Sequence, residues 1–221
     1  MGDYVDAINL SDKRFDPDSL TIEYRSKMGR LCQEQTEEAI EILEPIKDRI
    51  IGLGVGNHEA YVQKHYHFDV MYRLCGVLNV KYLGWTSITR VRITREVKAE
   101  HHPSYVINIF AEHSHIAGRK KGGKINSIED RSNDFDCDIY LRGHSHDKVC
   151  TTKTLLYMPK EGGLYLREKK RVYAICPSYY NAYKEGTVSY AEVAGYSPTS
   201  TGVVKIIIEV KHDGIDYHIS Q

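Results

Sequence analysis

Three short histidine-bearing segments hold most of the chemistry this sequence could do: Gly56-Asn57-His58-Glu59, Glu112-His113-Ser114-His115 and Gly143-His144-Ser145-His146. A fourth segment, Gly2-Asp3-Tyr4-Val5-Asp6, stands at the start. Carboxylate, amide and imidazole groups together can hold hard or borderline divalent metals. Hydrolysis at such a set needs an activated water, neutralised negative charge and help for the leaving group, and two metals about 3.5–4 Å apart supply the first two. A carboxylate between two cations reduces their repulsion, and Asp3 is the natural candidate. An imidazole, with a pKa near neutrality, suits the third task. His146 follows His144 by two residues, so an extended segment presents both on one face, and a short turn can do the same.

Strands and helices have to position these residues. Periodicity predicts a helix over 18–48, with Leu31, Ala39, Ile42, Leu43 and Ile46 at helical spacing, a start signal at Pro17-Asp18-Ser19 and a kink or early end at Pro45. Residues 49–55 read as a buried strand running into Gly56. Residues 59–78 read as a second helix with Tyr61, His65, Phe68, Tyr72 and Cys75 on its apolar face. β-branched and aromatic runs predict strands over 80–83, 87–97 and 105–111, the second with imperfect alternation at Ile88, Val91 and Ile93. A short helix over 124–131 precedes strands over 137–141, 172–176 and 203–210, and Asp213-Gly214 is a hairpin turn leading to a strand over 215–219. Helix–strand alternation followed by strands predicts the α/β class. In open α/β sheets, ligands collect beyond the carboxyl ends of strands. Val55 leads to Asn57 and His58, Phe110 to His113, and Leu141 to His144, so one rim could gather them.

The order Gly-Asp, Gly-Asn-His-Glu, His, Gly-His-x-His resembles the calcineurin-like metallophosphoesterase family, over nearly the whole chain. Within it, Asp12-Lys13-Arg14-Phe15 and the basic Gly-rich loop at 118–124 look most like small phage or prokaryotic members. The resemblance implies a single domain over 1–221, a four-layer α/β/β/α sandwich of two mixed β-sheets flanked by helices. It implies a binuclear centre of divalent ions, manganese first, with iron, zinc, cobalt or nickel also compatible with mixed N/O ligation. One metal would take Asp3, Asn57, His113 and His144. The other would take Asp3 and His146, with an Asp and a His from an opening Asp-x-His strand. That strand is not within these residues, so the expectation is a domain missing its first strand and two ligands, poorly stable and weakly active as it stands.

The resemblance also assigns roles. His58 would lie near the leaving-group oxygen as general acid or electrostatic stabiliser, with Glu59 orienting or polarising it. The family usually has glycine where Ser114 stands. His113, first after the strand, is the favoured ligand, and His115 is a substrate contact or an exposed side chain. Arg119 and Lys120 either touch the substrate phosphate or belong to a solvated loop. The implied activity is metal-assisted hydrolysis of a phosphomonoester or phosphodiester, leaning towards nucleotides or nucleic acid. The alternative is a catalytically weak or inactive metal-binding module that serves as a partner surface.

Composition narrows the field. With 30 Lys and Arg against 30 Asp and Glu, global charge demands no nucleic-acid partner. Five scattered cysteines without a Cys-x-x-Cys pair fit small, reduced thiols in a cytoplasmic protein and set aside a thiol or redox enzyme. No apolar run approaches the ~20 residues needed to span a bilayer, so no membrane partner is expected. His65, His67, His101 and His102 read as packing, surface or turn residues. The tyrosines between 157 and 196 either pack at sheet edges or offer stacking platforms for bases. Asp216-Tyr217-His218 spells Asp-x-His, but only Ile215 separates it from the Asp213-Gly214 turn. It therefore belongs to the hairpin rather than to a permuted opening motif.

Overall fold

Helices and strands follow one another as α1 (Ile22–Arg25), α2 (Leu31–Leu43), β1 (Leu53–Gly54), α3 (Asn57–Tyr66), α4 (Val70–Leu78), β2 (Tyr82–Gly84), β3 (Thr86–Thr94), β4 (Ser104–His113), α5 (Lys121–Glu129), α6 (Arg131–Asp134), β5 (Ile139–Gly143), β6 (Val149–Tyr157), β7 (Arg167–Ile175), α7 (Tyr190–Val193), β8 (Lys205–Lys211) and β9 (Gly214–Ser220). The chain is of the α/β class expected from its alternation. The computed structural model describes residues 1–8, 10, 12, 15, 17, 20–94, 104–115, 120–159, 165–180, 183, 189–211 and 214–220. It divides into two compact units, Met1–Thr86 with Asn181–Pro198, and Ser87–Tyr180 with Thr199–Gln221.

In the first unit, the helix expected over 18–48 is broken into pieces. Proline lacks an N–H and its ring crowds the preceding turn, so α-geometry stops at Leu43. Glu44–Arg49 then continue as a 3-10 helix with Pro45 in its first turn. The second expected helix, over 59–78, is two. His67 takes a left-handed conformation (φ 54°) and ends α3, and Asp69 restarts the chain by accepting the Tyr72 N–H at 2.8 Å as the cap of α4. The buried face is one residue off the expected one even before this break, with Val62 buried, Tyr61 half-buried and His65 exposed. The buried positions are Val62, Val70, Met71, Leu74 and Leu78, whereas Tyr72, expected inside, is exposed. Ile42 and Ile46 are likewise exposed rather than buried. The core joins Val5 and Ala7 to Cys32, Ala39, Ile40, Leu53, Val55 and the buried faces of α3 and α4. β1 and β2 pair in parallel.

The second unit is built on a five-stranded sheet in the order β3-β4-β5-β7-β6. β4, β5 and β7 run parallel, and β6 returns antiparallel along β7. One cluster gathers Phe110, Ile128, Cys137, Tyr140, Tyr173 and Ile175; another gathers Ile107, Ile139, Val172 and Tyr217. Each such side chain contributes about 1.5–3 kcal/mol on burial. β3 alternates half-buried and exposed residues without a break, so the irregularity expected around Ile88 resolves with Ile88 facing outwards. β8 and β9 form the expected hairpin, with Lys211 opposite Gly214; Asp213 of its turn lies outside the described residues. Asp216 therefore sits in a ladder opposite Glu209, as a hairpin residue. The five cysteines are thiols, Cys32 and Cys137 buried and the rest half-buried. Burial pushes the Cys176 thiol up to about 11. Among the described residues, no helix is long and apolar enough to cross a membrane.

Candidate metal centre

The donors expected to act together fall into two sets, one in each unit. In the first unit, Val55 ends the β1 segment and Gly56 turns it into α3, so that Asn57, His58 and Glu59 occupy the first helical turn. A Cβ on Gly56 would fall on the backbone nitrogen and carboxylate of Asp3, with Cγ at 2.8 Å, so only glycine lets the two segments meet. Asp3 has φ 56°, and its Oδ1 accepts the His58 N–H at 3.1 Å. Beneath them lies Glu59, 1% exposed. Its carboxylate accepts four backbone N–H groups: those of Asp3 (2.9 Å), Tyr4 (2.5 Å), Val5 (3.3 Å) and Gly56 (2.8 Å).

This changes the role expected for Glu59. It clamps the start of the chain to the turn, and the group that orients the His58 ring is the carbonyl of Asp6, hydrogen-bonded to Nδ1. A carbonyl only accepts, so Nδ1 carries the proton. Asp6 was legible only as the close of the first motif. Replacing Glu59 by alanine leaves four donors without their acceptor, each worth about 1–3 kcal/mol if it stays buried. Hydrogen exchange at the Asp3, Tyr4 and Val5 amides should then rise by orders of magnitude while the α4 amides stay protected. Unchanged exchange at those three amides contradicts the clamp.

In the second unit, two neighbouring parallel strands end side by side. His113, the last residue of β4, is in register with Gly143, the last residue of β5. His144 follows directly. The ring centroids of His113 and His144 are 5.2 Å apart, and a ligating nitrogen of each lies within 4.8 Å of the other's. Two nitrogens about 2.1 Å from a shared tetrahedral ion sit about 3.4 Å apart, inside that bound. His115 is exposed, and its Nδ1 lies 3.2 Å from His144 Nε2, one nitrogen donating to the other. A cation at that Nε2 competes with this hydrogen bond. His146 is two residues further on, with the Tyr180 ring centroid at 6.3 Å. Seven described non-glycine residues have positive φ, and three are candidate donors: Asp3 (56°), His144 (80°) and His146 (56°).

Two ion pairs, one buried and one partly buried, hold this second set. Glu112 and Arg142 precede His113 and Gly143 and face one another across the ladder. Arg142 Nε donates to Glu112 Oε1 at 2.5 Å, and its Nη1 and Nη2 donate to Ser127 Oγ and Ser127 O of α5 at 2.6 and 3.2 Å. Burial pushes the guanidinium below its ordinary value, against the pull of Glu112. Lys124 of α5 pairs with buried Asp147 and donates to the Ser145 carbonyl at 3.2 Å, pinning the loop that carries His144 and His146. Part of the basic Gly-rich segment over 118–124 is thereby given a structural role. Gly122 and Gly123 are helical, and Lys124 is turned inwards. Lys120 is an exposed cap residue, and Arg119 lies outside the described residues. The local signal for the ion pairs was a charged residue at the end of a buried apolar run.

A scan against protein-family models gives no match for this chain, and a search of curated proteins gives none either.

Proposed function

We propose that the chain is a metal-dependent phosphate-ester hydrolase of the calcineurin-like metallophosphoesterase type. The observation that supports this best is the delivery of His113 and His144 by adjacent parallel strands, with ring nitrogens within 4.8 Å. Asp3, Asn57, His113, His144 and His146 would hold divalent ions, manganese being the first choice for this mixture of carboxylate, amide and imidazole. Bound there, the ions would activate a water and neutralise the phosphoryl oxygens. The chain's own contribution to bond cleavage is His58. With Nδ1–H held by the Asp6 carbonyl, Nε2 gives a proton to the leaving-group oxygen only from the imidazolium, in which both ring nitrogens carry one; the ring is then left neutral with Nδ1–H still on the carbonyl. A phosphate ester is the substrate and the cytoplasm the setting, which suits five thiols.

Metal counting and turnover test the reading together. Chelated protein reloaded with Mn²⁺ should hydrolyse bis(p-nitrophenyl) phosphate, and two bound ions with turnover favour the hydrolase. One ion without turnover favours a metal-binding module, and no ion overturns the assignment. Asp3→Asn in the first unit and His144→Ala in the second should each lower metal affinity by more than the roughly 10- to 100-fold a supporting residue contributes. If only one does, the two sets do not share an ion.

A further inference from the structure

Three neighbouring parallel strands end at one edge of the sheet, and the third has so far been given no chemical role. β7 lies beside β5, with Ile175 opposite Arg142. The Cys176 N–H then donates to the Arg142 carbonyl at 2.8 Å, so β7 leaves the sheet level with Gly143. From there the chain runs Pro177-Ser178-Tyr179-Tyr180. Ser178 fixes this exit twice, its carbonyl accepting the Gly202 N–H at 3.3 Å and its Oγ accepting the Tyr180 N–H at 3.3 Å. The Tyr180 ring lies beside His146, tilted by 57° rather than stacked, and the residue is 41% exposed. A partly exposed aromatic side chain thus stands next to an imidazole assigned to the phosphate site.

We propose that Tyr180 is the platform on which the base of a mononucleotide lies, so that the substrate is a nucleoside phosphate ester. The reading rests on the hydrolase assignment for what the histidines do. Every base presents a flat π-face, so a phenol ring 6.3 Å from the His146 ring selects for a base without reading its identity. Among the described residues, four cations of β6 and β7 are not free to track a polyanion. Lys153, Lys169, Lys170 and Arg171 are each engaged by a carboxylate, of Glu129, Asp138, Asp216 and Asp136 respectively. A small nucleotide needs no such track, whereas a nucleic acid does.

Equilibrium dialysis of the metal-loaded chain against AMP and ribose 5-phosphate isolates the base from the phosphate. AMP should bind about 5- to 150-fold more tightly, the contribution of one stacked base. Tyr180→Ala should remove that ratio and Tyr180→Phe should keep it. The ratio of kcat/KM for a nucleoside ester over a methyl ester should fall by the same factor in Tyr180→Ala. Equal binding of AMP and ribose 5-phosphate, or equal weakening of both by Tyr180→Ala, overturns the platform. A single-stranded oligonucleotide that binds far more tightly than AMP, with a steep salt dependence, overturns the mononucleotide class. Should the chain hydrolyse no phosphate ester, the hydrolase assignment fails while the binding ratio still decides the role of Tyr180.

Discussion

Arg142→Met should destabilise the second unit by about 3–5 kcal/mol, the usual cost of stranding one member of a buried ion pair. Glu112 is 5% exposed and would keep only Arg131, at 3.4 Å and partly solvated, so the lower end of that range is expected. The substitution also removes two hydrogen bonds to Ser127, loosening α5 from β5. Replacing both partners, Glu112→Leu with Arg142→Met, should recover most of the loss, because apolar substitutes for a buried pair are often neutral or stabilising. Urea midpoints of the two single variants and the double variant measure the coupling. If the double variant is as unstable as the sum of the singles, the pair is not the link between these strands.

His58→Ala should slow hydrolysis by about 10²–10⁴-fold, the range of a general acid–base group. Metal affinity should barely change, because the ring turns Nδ1 towards the Asp6 carbonyl and is not among the assigned donors. The signature to look for is dependence on the leaving group. An ester with a good leaving group, such as p-nitrophenol, needs little proton donation and should suffer less than an alkyl ester. Parallel losses of metal affinity and rate, or equal losses for both esters, would make His58 a ligand or a structural residue instead.

What was legible in the sequence follows from how apolar runs end. Ile107 to Ala111 and Ile139 to Leu141 stop at a charged or small residue, and that is where β4 and β5 deliver His113 and Gly143. Pro45 marked the end of α-geometry because its chemistry is local. The break after α3 was not legible: no glycine or proline announces it, and His67 adopts a left-handed backbone that periodicity does not register. Tyr72 was placed on the wrong face because the expected stripe began at Tyr61, whereas Val62 is the buried residue. The Glu112–Arg142 pair joins residues 30 apart, and only the oddity of charges in buried runs hinted at it. Glu59, three residues into its turn behind Gly56, had the spacing of a helix cap. Reading it as a partner of His58 overlooked the backbone donors of the opening segment.

The left-handed backbone at Asp3, His144 and His146 sets this chain's function against its own ease of folding. A side chain in that conformation costs about 1–2 kcal/mol relative to a residue without a Cβ. Anyone selecting variants for thermostability alone would find glycine relieving this strain at His144 and His146 and would collect variants that melt later, whereas at Asp3 the relief is offset by the lost bond to the His58 N–H. Under the present assignment, each such gain deletes a donor. Screens on this scaffold should therefore carry a metal-dependent readout from the first round, or the best-folded survivors will be those that have lost the centre.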